Sequence, residues 1–251
     1  MISFNFFSKL FMFPLYYIFH YNIIFGWIHK NYIKVFRYKN LIFYLNNLKI
    51  PLPYYSSFIF NTNELNDRVL LERNLIKKHK CIIIGGGIGF VPAIVNKATK
   101  NKIMIFEINK NILDKIKKNL LKNQIKFQIF NYNLILSNKG KQNYYYSNQN
   151  FLATSMYRKT NRKYKLKNLI DKKVKNINKF NTLVIDGEGV EKHYIENLYV
   201  LKKIKYIFFE FHNDIFSNRD RKKIFNKLNK QGFFLKDSFV NSYYFIKLRN
   251  K

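Results

Sequence analysis

Four glycines close a β-branched run in Cys81-Ile82-Ile83-Ile84-Gly85-Gly86-Gly87-Ile88-Gly89. A backbone without Cβ atoms reaches positive φ and lets a ligand come within contact distance. The helix that follows then offers unpaired N–H groups at its first turn. Nucleotides, phosphates and plain tight turns all use such loops. About twenty residues further on, the apolar run from Ile103 ends in Glu107, where a carboxylate can accept hydrogen bonds from two vicinal ribose hydroxyls. A solvated carboxylate at a strand end is the plainer alternative. A second apolar strand, Thr182-Leu183-Val184-Ile185, runs into Asp186, Glu188 and Glu191. That puts acids at the carboxyl end of a strand, the place where open α/β sheets bind ligands.

With this second constellation the chain resembles the FkbM family of S-adenosylmethionine-dependent methyltransferases. The matching stretches are Ile84 to Phe90 for the cofactor loop, Phe106-Glu107-Ile108-Asn109 for the ribose position, and Asp186-Gly187-Glu188-Gly189-Val190-Glu191 for the family's Asp-x-Glu-Gly-x-Glu signature. Softer matches are Thr154-Ser155, Leu166 to Ile170, and Phe208-Phe209-Glu210-Phe211-His212. The resemblance covers residues 64–251. It implies a Rossmann-like class I methyltransferase fold with S-adenosyl-L-methionine held through Gly85, Gly86, Gly87, Gly89, Glu107 and Asp186. It also implies O-methylation of a small-molecule or glycan acceptor, at a hydroxyl of a sugar, a glycan or a related metabolite. Methyl transfer from a sulfonium is an in-line displacement, to which alignment of oxygen, carbon and sulfur contributes most. For a hydroxyl acceptor the base candidates are Glu188 and His212, with a satisfied structural histidine as the alternative for the second. One departure stands out. The family carries an acid two residues before the first glycine, and here Ile83 takes that place. A weakened cofactor site is expected unless Asp186 or Glu188 supplies the charge.

The elements that must position these groups follow from periodicity. Apolar spacing predicts helices over residues 64–76, 88–97, 111–122, 190–203 and 219–230, and strands over 81–84, 102–106, 126–130, 182–185 and 206–210. Strands over 233–235 and 243–248 close the chain. The pattern is that of an α/β fold with a mostly parallel sheet and an antiparallel strand pair at one edge. The third strand ends near Asn131, whose amide could meet the adenine edge. Residues 139–150, polar and Tyr-rich, read as a loop or hairpin. Residues 151–164 border the acceptor pocket or form irregular surface. Residues 61–251 make up the methyltransferase domain. Residues 1–60 are an aromatic N-terminal extension, in which 41–57, with Pro51 and Pro53, read as a connector.

A chain of 251 residues and 30.5 kDa can bury a full core. Its formal charge of +32 would ordinarily argue for nucleic acid or an anionic membrane. Lys, Asn, Ile, Phe and Tyr are over-used together, however, and all are read from A/T-rich codons. Without an Asn/Asp-Pro-Pro-aromatic motif or a localised basic-aromatic module, nucleic acid is not the expected partner. The single cysteine, Cys81, reads as a buried thiol in a reducing compartment. The five histidines show no paired metal spacing, so no metal is expected. Residues 10–29 contain no Lys, Arg, Asp or Glu, and Lys30, Lys34, Arg37 and Lys39 follow. The run suits a membrane interface better than a span, and the positive-inside tendency would then keep the domain cytoplasmic, at an anionic membrane surface. An aromatic helix packed on the domain is the other reading. Two further function classes stay open: an RNA methyltransferase or RNA-binding protein, and a non-catalytic, membrane-attached scaffold of the same fold.

Overall fold

The computed structural model describes residues 34–45, 64–131, 133–135, 142–145, 163–166, 168–170, 174, 176–198 and 201–248. It opens on an antiparallel hairpin, β1 (Val35–Tyr38) and β2 (Leu41–Tyr44). Then come α1 (Leu65–Asn74), β3 (Cys81–Ile84), α2 (Phe90–Thr99), β4 (Ile103–Phe106), α3 (Leu113–Lys122) and β5 (Phe127–Phe130). Two small pairs follow. β6 (Asn133–Ile135) lies parallel to β9 (Asn168–Ile170), and β7 (Gln142–Tyr145) antiparallel to β8 (Lys163–Leu166). The chain returns to the main sheet with β10 (Thr182–Ile185), α4 (Glu191–Glu196), β11 (Tyr206–Glu210), α5 (Asn218–Lys230), β12 (Phe233–Phe239) and β13 (Ser242–Lys247).

Seven of these strands form one sheet in the order β12-β13-β11-β10-β3-β4-β5. The five from β11 to β5 are parallel, and β13 runs antiparallel between β11 and β12. This is the expected mostly parallel Rossmann-like sheet with an antiparallel pair at one edge. Residue parity explains why both faces must be covered. In β3 and β4, Cys81, Ile83, Ile103 and Ile105 enter one core with α1, α2 and α3, while Ile82, Ile84, Met104 and Phe106 enter the other with α4 and α5. A strand buried on both sides reads as an unbroken apolar run, as these do. From β3 the chain winds outward through β4 and β5, then crosses back to β10 and winds the other way. The order therefore reverses between β3 and β10, which opens a crevice at their carboxyl ends.

Several boundaries differ from those read in the sequence. Gly89 at φ 89° delays the second helix to Phe90, because the turn uses Ile88. The α-helix after Val190 ends at Glu196. The first closing strand is longer than expected and the second begins and ends one residue earlier, since β12 and β13 pair from Phe233↔Lys247 to Phe239↔Ser242 across a bulge at Leu235/Asp237. Residues 41–44 are a strand and not a connector. Phe36 and Phe43 of the hairpin both pack edge-on against Phe90, with ring centroids 5.3 Å apart in each case. Asn119 of α3 and Asn123, which caps its C-terminus, accept hydrogen bonds from the Tyr44 and Ile42 N–H respectively, each at 2.8 Å. The aromatic run 10–29, residues 151–162 and the Thr154-Ser155 match lie outside the described residues. Among the described residues no helix is long and apolar enough to cross a membrane.

Candidate functional site

The crevice between β3 and β10 is built first from backbone. Gly85 (φ 91°) and Gly87 (φ 51°) carry the chain out of β3 in left-handed conformations. A Cβ on Gly85 would fall 1.8 Å from the Asp186 carbonyl oxygen, so only glycine lets the two strand ends lie this close. The turn is held from three sides. The Gly85 N–H donates to the Phe106 carbonyl at 3.0 Å. The Gly86 N–H donates to Glu107 Oε2 at 2.8 Å, and the Asn119 amide donates to the Ile88 carbonyl at 2.9 Å.

Glu107 sits at the tip of β4 as expected, but nearly sealed, at 5% exposure. Its second oxygen accepts from the Asn109 N–H at 2.7 Å. Burial raises its pKa above the usual carboxylate range, and the N–H groups of Asn109, Gly86 and Ile108 act against that rise. The Asn131 amide, expected at an adenine edge, is tied to the turn after β4. Its nitrogen donates to the carbonyls of Glu107 and Ile108 at 2.9 and 3.2 Å, bracing the turn after β4.

On the other flank carboxylates gather. Glu64 and Asp67 of the α1 entry, Asp186, Glu188 and Glu191 after β10, and Glu210 at the end of β11 are six of the 14 acidic residues in a chain that carries 46 Lys and Arg. The elements bring them together. α1 packs on β11 and β13, and Ser242 at the start of β13 donates to Asp67 Oδ1 at 2.6 Å. The adjoining parallel strands β10 and β11 deliver the others to the same edge. His212 stands in the middle. Its Nδ1 donates to Glu191 Oε1 at 2.8 Å, and its Nε2 faces Glu188 Oε2 at 3.6 Å and Glu210 Oε2 at 3.9 Å.

These contacts decide the protonation pattern. Burial disfavours a charged ring at His212, but the bond to Glu191 and the charges of Glu191, Glu188 and Asp186 outweigh it and push the pKa up to about 10. The ring is therefore a cation at neutral pH. Glu210 is pushed up to about 7 by burial and by Asp186, against the pull of His212. Asp186 is raised by burial, with Glu191 adding to the rise and His212 opposing it. Ligand atoms of Asp186, Glu210 and His212 lie within 4.8 Å of one another, a grouping that sequence spacing does not reveal because the three come from two strand ends. The imidazolium itself supplies positive charge there.

Sequence reasoning missed three members of this group. Glu210 ends an apolar strand as Glu107 does, and the same signal could have found it. Glu64 and Asp67 read only as the polar start of a helix, and nothing local in the chain points them toward the crevice.

No protein-family model matches the sequence, and no curated protein does. Solved structures that resemble the fold include a precorrin-6y C5,15-methyltransferase from Geobacter metallireducens GS-15, with 14% identity over 71% of this chain and 85% of that one and a TM-score of 0.44. A SAM-dependent methyltransferase from Aquifex aeolicus is 13% identical over 74% of this chain and 92% of that one, with a TM-score of 0.45. M. jannaschii TYW2, solved in complex with AdoMet, is 11% identical over 84% and 82%, with a TM-score of 0.46.

Proposed function

We propose that this chain is an S-adenosylmethionine-dependent methyltransferase of the FkbM type, acting on a hydroxyl of a sugar, a glycan or a related metabolite. One observation carries the reading. At the point where the strand order reverses, a glycine turn clamped by Glu107 meets an acidic group on the next two strand ends. The residues present fit the cofactor. Gly85, Gly87 and Gly89 all take positive φ, and Glu107 holds its carboxylate at the strand tip where a ribose would lie. When bound, the cofactor supplies an electrophilic methyl group on a sulfonium. The chain's own part is to align the acceptor and to take its proton.

Within this reading the proton acceptor is Glu210. A group poised near 7 can take a proton at physiological pH. His212, the earlier candidate, holds its proton too tightly to act as a base, and serves instead as the cation that orients Asp186, Glu188 and Glu191. Glu188 is held at φ 55°, a strained conformation beside the same ring. Residues 61–251 form the catalytic domain and 1–60 an extension, whose described part, the β1–β2 hairpin, clamps α2 and α3. Residues 10–29, with the lysines behind them, are its contact with an anionic membrane, on whose cytoplasmic side the domain works. An RNA acceptor is the second reading, favoured by the charge of +32.

Calorimetry with S-adenosylhomocysteine on the whole chain tests the class, and saturable binding is expected. No heat and no thermal shift at millimolar nucleoside would overturn it in favour of a non-catalytic scaffold. Labelled methyl transfer into a glycan fraction or into tRNA separates the two acceptor readings.

A further inference from the structure

Ile83 leaves the glycine loop without its usual acid, and the structure shows how completely. The side chain is fully buried, and in the sheet Ile83 pairs with Val184 on one side and Ile105 on the other. A different carboxylate lies against the loop. Glu64 Oε1 is 3.4 Å from the position a Cβ on Gly87 would take. Glu64 is the residue before α1, yet its side chain makes no capping bond to that helix. Its backbone is left-handed, at φ 50° and ψ 35°, a conformation that is costly for any residue but glycine and is kept where the surroundings demand it. The residue as a whole is partly exposed, but its Oε2 is buried and has no hydrogen-bond partner among the described residues. A buried carboxylate oxygen without a donor is expensive, and nothing in the fold of α1 requires one here.

The surroundings narrow what would satisfy it. Burial, and then the charges of Asp186 and Glu210, push the Glu64 carboxyl well above the usual carboxylate range, with Arg68, one turn along α1, pulling the other way, so an added cation is what would hold it ionised. The Arg68 guanidinium lies over the Tyr38 ring, 4.6 Å from its centroid. A ligand group with N–H donors and a positive charge suits such a place. A hydroxyl brings no charge, and a sulfonium brings no donor.

We propose that Glu64 stands in for the missing loop acid and accepts the primary ammonium of the cofactor's aminoacyl end, with Asp186 beside it on the same flank of the glycine turn. The inference rests on the methyltransferase reading of the same loop.

S-adenosylhomocysteine retains the ammonium and lacks the sulfonium, whereas 5′-methylthioadenosine keeps the nucleoside and sulfur but has no aminoacyl end. Titration calorimetry of the whole chain with both ligands isolates the contact. Glu64→Gln should weaken S-adenosylhomocysteine by about tenfold or more, the loss of one charge-assisted bond, and leave methylthioadenosine within about twofold. A folded Glu64→Gln protein that binds S-adenosylhomocysteine as the wild type does, or that loses both ligands equally, overturns the assignment. A ligand-side comparison needs no variant. The S-adenosylhomocysteine analogue lacking the α-amino group should bind wild type about tenfold or more weakly than the parent, and equal affinity overturns the assignment as well. Wild type that binds neither nucleoside removes the methyltransferase reading and this inference together. Wild type that binds both, with Glu64→Gln indifferent, removes this inference alone.

Discussion

Glu107 and Glu64 both lay a carboxylate against the glycine loop, from opposite flanks and under opposite conditions. Glu107 accepts two backbone N–H bonds, at 2.7 and 2.8 Å, so the chain itself supplies what a buried carboxylate needs. Glu64 keeps a buried oxygen without a donor among the described residues, beside further acids. The first arrangement holds the loop in shape before any ligand arrives. The second holds charge in reserve for a ligand to neutralise. A carboxylate bonded by its own chain also braces the loop, and one that is left wanting depends on what it binds, although the two look alike in sequence.

The largest effect is expected where the two flanks touch. Gly85→Ala must place a methyl group 1.8 Å from the Asp186 carbonyl oxygen, at a backbone φ of 91°. Overpacking and left-handed strain together predict a loss of roughly 3–5 kcal/mol in urea unfolding. A loss under about 1 kcal/mol would mean that the strand ends are not in contact.

The comparison itself is sharpened by two isosteric changes whose stability effects should differ in sign. In Glu107→Gln an amide NH2 must face one of two backbone N–H donors, so about 1.5–3 kcal/mol should be lost. Burial, and then the charges of Asp186 and Glu210, hold the Glu64 carboxyl well above the usual carboxylate range, and Glu64→Gln breaks no hydrogen bond among the described residues, so stability should hold or rise, by about 0.5 kcal/mol. The readout is the urea midpoint at pH 7. Destabilisation of similar size in both would dissolve the distinction between the bonded carboxylate and the one left wanting.

How much of this was legible depends on how local the cause is. The sheet was legible, because Cys81–Ile84, Ile103–Phe106 and Thr182–Ile185 are continuous apolar runs that only a strand covered on both faces can satisfy. The glycine turn and Glu107 were legible for the same reason: turn chemistry and strand ends are written in neighbouring residues. The hairpin at 35–44 was not. Its pairing is stabilised by Asn119 of α3, by Asn123 just after that helix and by Phe90, all far along the chain. The acidic pocket was half legible. Asp186, Glu188 and Glu191 announce themselves in one short stretch, but Glu64 reaches them only through the packing of α1 on β11 and β13. The bonds from the Asn131 nitrogen to the Glu107 and Ile108 carbonyls were not legible, because an amide at a strand end can face inward or outward and only the turn after β4 decides which.

The effect most diagnostic of the pocket's charge is its pH dependence. His212 has a folded pKa of about 10 against an ordinary value of 6.5. Between those values the folded chain binds a proton that the unfolded chain does not. Its contribution is therefore fully present below about pH 6.5 and is lost as pH rises toward 10, with a limiting slope of about 1.4 kcal/mol per pH unit for one proton. Glu210, raised to about 7 from 4.5, acts in the same direction over a lower window. His79 acts in the opposite sense, because burial and then Lys78 lower it to about 4, so its share of stability is lost as pH falls through 6.5. It contributes no slope above that value. A competing trend does operate there: the chain's excess of lysine loses charge as pH climbs, and relief of that repulsion favours the compact state. Raw stability curves mix the two, so the quantity to follow is the difference between wild type and His212→Gln. That difference in unfolding free energy should shrink steadily from pH 6.5 to pH 9.5. A difference that stays constant over the interval would mean that His212 is neutral in the folded protein and that the carboxylates around it are held by something other than its charge.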